Sequence, residues 1–206
     1  TTRMHRILCY GDSLTAGTSG FNEEYPYAPY LEAKLRETRG DNVMVRYRGL
    51  PGWTTEHMVE DLDGERTGLR SALRKDLSLV ILLAGTNDMG YGKSADEITA
   101  NLKLLHNVCL DYGVPKTLAI GIPPSGYQSQ NEAAAALAST VSANLEALEE
   151  DPRVTFVPFP FEYERDGDNW YPDGLHFSKT GYKLLGESLA PAVEKILNSL
   201  DAQQDS

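Results

Sequence analysis

Leu77-Ser78-Leu79-Val80-Ile81-Leu82-Leu83-Ala84 carries one polar side chain in eight residues. A strand with one wet face alternates apolar and polar positions. A run that is apolar on both faces has to be covered on both, which is the place of an inner strand in a parallel sheet. Gly85 ends the run. Outward from it, shorter apolar runs at 6–10, 42–47, 116–122 and 153–157 read as four further strands. Between them lie segments with apolar residues at helical spacing: 28–38, 55–62 with 67–75, 95–112, 131–149 and 178–200. Ser94 and Glu97 make a capping-box pair at the head of the third, and Gly113-Val114-Pro115 closes it. Strands alternating with helices predict an α/β fold with right-handed crossovers. With five strands, the expectation is a flavodoxin-like three-layer α/β/α sandwich around a five-stranded parallel sheet ordered 2-1-3-4-5. One domain is expected over residues 1–200, and 201–206, Asp-Ala-Gln-Gln-Asp-Ser, reads as a frayed polar tail.

The bulk numbers suit that reading. The chain has 206 residues, 41% of them hydrophobic and 24% charged, and a chain of this length buries about 70% of its unfolded surface without a metal or disulfide staple. Nineteen basic residues against 30 acidic ones give a formal charge of −11. Such a surface repels nucleic acid and anionic membranes, so neither is expected as a partner. Cys9 and Cys109 lie inside apolar runs and read as buried free thiols. No run approaches the ~20 apolar residues of a membrane span. The amino-terminal residues, Thr1-Thr2-Arg3-Met4-His5-Arg6, lack the long apolar stretch of a signal peptide. A soluble protein is expected, cytoplasmic, or secreted if a signal was removed ahead of Thr1. Nothing in the sequence indicates an oligomeric state.

In a doubly wound sheet, ligands bind outside the carboxyl ends of the strands, near the point where strand order reverses. The first strand runs into Gly11-Asp12-Ser13-Leu14 at that point. A serine at a strand exit is a turn residue, a helix cap, part of a phosphate cradle or a nucleophile. Three other strand exits share its edge: Arg48 to Thr55, Gly85-Thr86-Asn87-Asp88, and Tyr171 to Ser178. Together they hold a full set for acyl transfer. His176 can take the proton of the Ser13 hydroxyl, and Asp173, three residues earlier, can fix the tautomer of the imidazole and stabilise its cation. The amides of Ser13 and Gly52 and the side-chain amide of Asn87 can donate to a tetrahedral oxyanion.

Gly11-Asp12-Ser13-Leu14, Gly52, Gly85-Thr86-Asn87-Asp88 and Asp173-Gly174-Leu175-His176 resemble, in order, the four blocks of the GDSL or SGNH hydrolases, most closely the small arylesterase and lysophospholipase-like members. The resemblance implies ester hydrolysis of a small-molecule substrate with no metal or organic cofactor. It assigns Ser13 as nucleophile, His176 as base and Asp173 as its partner, with Ser13, Gly52 and Asn87 as oxyanion donors. The alternative is a non-catalytic binding protein on the same fold, for phosphate, flavin or carbohydrate. Against phosphate or flavin, Asp12 repels a phosphate and no Lys or Arg stands in 13–20. Taken singly, each site residue also has a structural reading as a turn, cap or core residue.

Around the site, Trp53, Met89 and Trp170 are expected as an apolar pocket wall. Asp12 is expected to brace the loops by accepting backbone amides, and Asp88 to cap or brace its own loop. His5 and His106 read as structural, and His57 approaches the cleft without an acid partner. No HExxH or CxxC spacing marks a metal site. No long apolar insertion is present to form a lid, so short acyl groups are the expected substrates.

Overall fold

Residue alternation along the strands decides how the layers fill. The computed structural model describes residues 3–20 and 23–203. Its strands are β1 (His5–Asp12), β2 (Val43–Leu50), β3 (Leu77–Leu83), β4 (Lys116–Ile120) and β5 (Val154–Val157). All pair in parallel, in the predicted order β2-β1-β3-β4-β5. The helices are α1 (Ser13–Ala16), α2 (Tyr27–Arg39), α3 (Thr55–Glu60), α4 (Leu69–Ala72), α5 (Thr86–Gly90), α6 (Ala95–Tyr112), α7 (Glu132–Glu146) and α8 (Lys179–Ala202). Every residue of β3 is buried. Leu79, Ile81 and Leu83 join Ile7, Cys9, Val43 and Val45 in one core, closed by residues of α2 and α8. Val80 and Leu82 join Leu8, Tyr10 and Ala119 in the other, closed by residues of α3, α4, α6 and α7. The period of two along each strand thus feeds two cores, one per face. Cys9 and Cys109 fall in different cores and are free, and burial pushes each thiol up to about 12.

Several boundaries differ from the expected ones. β2 runs on to Leu50 because Gly49 and Leu50 pair with Gly11 and Asp12 of β1. The strand expected over 116–122 ends at Ile120, and the helix expected over 131–149 ends at Glu146 and tightens into a 3₁₀ turn, Ala147–Glu150. α1 and α5 are single turns directly after β1 and β3, too short to show a period in the sequence. The tail expected from residue 201 is corrected. α8 continues through Asp201 and Ala202, and the Asp201 carboxylate accepts from Arg39 Nη1 at 3.0 Å and lies 2.8 Å from His5 Nε2. Arg39 also pairs with Glu194 at 3.0 Å, so the end of α8 is clasped to α2 and β1. Residues 204–206 lie outside the described residues.

Candidate active site

Ser13 is where it is because the chain turns from strand to helix without a loop. Asp12 ends β1 and caps α1, its Oδ1 accepting the Leu14 N–H at 2.9 Å. A tight turn here needs Gly11: a Cβ on it would lie 1.9 Å from the Leu83 carbonyl oxygen of β3. Ser13 becomes the first residue of α1, where backbone N–H groups have no intrahelical acceptor.

The opposite wall is a tight polar turn. Asp173 Oδ1 accepts the N–H groups of Leu175 and His176, both at 2.9 Å. Its Oδ2 lies 2.7 Å from His176 Nδ1, and His176 Nε2 lies 3.0 Å from Ser13 Oγ. A carboxylate on Nδ1 keeps the proton there and leaves Nε2 free to accept from the serine hydroxyl. Burial works against the Asp173 charge, but hydrogen bonds from His176 and the Leu175 amide outweigh it and hold the carboxyl below its ordinary value. Behind the turn, Phe177 is fully buried among Phe159, Phe161, Trp170 and Tyr182.

The remaining two strand exits are stapled to each other. Gly52 has φ +79°, a turn conformation suited to glycine, and its N–H makes no hydrogen bond among the described residues. Asn87, in the first turn of α5, donates from Nδ2 to the Trp53 carbonyl at 2.8 Å, which uses one of its two amide hydrogens. Asp88 is fully buried and does not brace its own loop as expected. It reaches α3, accepting from Thr55 N at 2.9 Å and Thr55 Oγ at 2.6 Å. Asn101 Nδ2 donates to the same hydroxyl at 3.1 Å. Adjacent residues of α5 therefore hold the carbonyl of Trp53 and the amide of Thr55.

Residues 9–184 match the model of the GDSL-like lipase/acylhydrolase family. The chain belongs to that family. It is a carboxylic ester hydrolase, which decides between the hydrolase and the binding-protein readings. Among solved structures, the native aryl esterase of M. smegmatis is 25% identical with a TM-score of 0.70, covering 93% of this chain and 99% of its own. A candidate arylesterase of Agrobacterium tumefaciens str. C58 is 26% identical with a TM-score of 0.70, covering 94% and 100%. The lipase/acylhydrolase of Enterococcus faecalis, 21% identical with a TM-score of 0.71 and covering 93% and 96%, shares the fold. A search of curated protein sequences finds no match.

In this GDSL hydrolase the expected pocket wall is only partly present. Trp53 is half-buried, stands edge-on to His57 at 6.1 Å, and borders an open depression of about 470 Å³ with Pro51, Gly52, Glu60 and Asp61. Met89 is half-buried against the second core. Trp170 is 7% exposed, packs 5.0 Å from both Phe177 and Tyr163, donates from Nε1 to the Glu162 carbonyl, and borders with Tyr163 and Tyr171 a cavity of about 570 Å³ on the Asp173 side of the site. His57 closes a reciprocal cap with Thr54, which explains it without a catalytic role. His5 bonds Ser78 and Asp201, and His106 bonds Thr117. Burial pushes His106 down to about 4. Asp12 accepts one amide, while its other oxygen is buried without a partner, and burial pushes its carboxyl up to about 7. Thr55 escaped the sequence reading; the signal available was its position right after the capping Thr54.

Among the described residues, no helix is long and apolar enough to cross a membrane.

Proposed function

We propose that this enzyme cleaves carboxylic esters of short acyl chains through an acyl-enzyme on Ser13. The observation that carries the reading is the continuous chain Ser13 Oγ–His176 Nε2–Asp173 Oδ2, at 3.0 and 2.7 Å. Ser13 Oγ attacks the ester carbonyl while its proton passes to His176 Nε2, and Asp173 stabilises the imidazolium. The carbonyl π electrons move onto oxygen, and the oxyanion takes hydrogen bonds from the N–H groups of Ser13 and Gly52 and the free amide hydrogen of Asn87. Collapse breaks the bond to the alkoxy group, which leaves as alcohol with the proton from Nε2. Water then gives a proton to Nε2, attacks the acyl carbon and releases the acid, returning the proton to Ser13.

A fluorophosphonate probe tests the nucleophile. Peptide mapping is expected to find the phosphonyl group on Ser13, with Ser13→Ala unlabelled. Labelling at another serine, or undiminished labelling of Ser13→Ala, overturns the assignment.

A further inference from the structure

The acidic chain gathers four of its cations in one place. A cleft of about 410 Å³ is lined by Arg6 of β1, Arg46 and Arg48 of β2, and Arg74 and Asp76 of the α4–β3 connection. In a chain with 19 basic and 30 acidic residues, four guanidiniums here face one carboxylate. Asp76 is engaged by Arg6, with Nε 3.3 Å from its Oδ2. Three positive charges are left to repel one another, and a bound anion relieves that repulsion.

The guanidiniums of Arg48 and Arg74 are also held in place. Arg48 Nη1 donates to the Gly68 carbonyl at 2.8 Å and to Ser71 Oγ at 2.7 Å. Arg74 Nη1 donates to the carbonyls of Ser71 and Leu73 at 3.3 and 3.2 Å. Each contact fixes one corner of a planar fork and leaves other N–H groups to donate. The Arg46 side chain makes no hydrogen bond or ion pair among the described residues. Forks fixed in advance lose little side-chain entropy on binding, and their geometry fits the paired oxygens of a phosphate. Along β1 the cleft runs from Arg6, seven positions before Ser13, to Arg48, which pairs with Tyr10 three positions before it, so at strand rise it lies roughly 10 to 20 Å from the nucleophile. None of Ser13, Gly52, Asn87, Asp173 and His176 lines it.

We propose that this arginine cleft is a second binding site, for a phosphate-bearing anion carrying more than one negative charge. Several forks favour pyrophosphate-type ligands over orthophosphate, since one tetrahedral group cannot engage all of them.

Calorimetry of the full chain with inorganic pyrophosphate, at constant ionic strength, tests it. Saturable binding is expected, weakened at least about tenfold by Arg46→Glu and in the same direction by Arg74→Gln. Turnover of p-nitrophenyl acetate should be unchanged in both variants, which shows that they fold. The absence of saturable binding to the wild type, or wild-type affinity in both variants, overturns the site. Vesicles containing phosphatidic acid separate the two sources of such a group. Sedimentation of the protein with them, displaced by pyrophosphate and lost in Arg46→Glu, assigns the anion to a lipid headgroup. Pyrophosphate binding without sedimentation assigns it to a soluble compound.

Discussion

At Ser13 a hydroxyl, an imidazole and a carboxylate lie in hydrogen-bonding sequence although 163 residues separate serine from histidine. Groups that act as a unit lose nearly everything when one is removed. Ser13→Ala and His176→Ala should therefore each lower kcat by at least ~10³-fold, with little further loss in the double variant. Steady-state kinetics on p-nitrophenyl acetate decide this, and near-normal turnover in either variant refutes the triad. Asp12 allows a separate test, on stability. Its ordinary value of 3.8 is raised to about 7 by burial, helped by the nearby Asp88 charge and opposed by the Leu14 amide. Between those values the unfolded chain gives up its proton and the folded chain keeps it, so stability contributed at residue 12 falls as pH rises and levels off above about 7. The carboxamide introduced by Asp12→Asn stays neutral and retains an oxygen for the Leu14 amide. The melting temperature of Asp12→Asn relative to the wild type should thus become more favourable from pH 5 to pH 8, and a difference independent of pH contradicts this. The candidate residues Ser13, Asp173 and His176 stood out in the sequence because each sits in a short local pattern at a strand exit. The burial of Trp170 did not, because it comes from Phe161, Tyr163 and Phe177, which only the tertiary fold assembles around it.

Among the elements, the short ones hold the site together. α1 and α5 offer no hydrophobic period to read, since four and five residues barely complete one turn. Their signals were the caps and glycines at their ends, visible in the sequence but open to a plain loop reading. α5 does more than present Asn87: through Asp88 it fixes the start of α3, and through Asn87 the carbonyl that follows Gly52. If this staple sets the position of the Gly52 amide, loosening it should reduce kcat more than it raises KM, because the amide is needed most in the transition state. Thr55→Val, which removes the hydroxyl bonded to Asp88, should lower kcat by roughly ten- to a hundredfold. Thr55→Ser, which keeps the hydroxyl, should stay near wild type. A merely structural role would lower the melting temperature of Thr55→Val and leave the kcat of the folded enzyme intact.

For the whole molecule, the layer order was legible because strands and helices alternate and β3 is apolar on both faces. The clasp on α8 was not, since Asp201 meets residues 162 and 196 positions away. The same global view bears on substrate size. Between β5 and α8 the chain is long and irregular, the natural place for a lid or acyl tunnel. Its large rings turn inward instead: Phe159 and Phe161 pack 4.7 Å apart, both against Phe177, with Trp170 beside them. What remains beside Gly52 is an open depression with one half-buried indole and two carboxylic residues, Glu60 and Asp61, on its border. An alkyl chain laid there gains little apolar contact, and carboxylates at the rim favour water over methylenes. A true tunnel would contribute up to ~0.8 kcal/mol per buried methylene, and kcat/KM would climb with each carbon. The activity should instead be highest from acetyl to butyryl and fall beyond. A series of p-nitrophenyl esters from two to twelve carbons, kept below micelle formation, measures this. A maximum at eight carbons or more would mean that the inward rings of 159–170 swing out to line a channel, and the short-chain reading would fail.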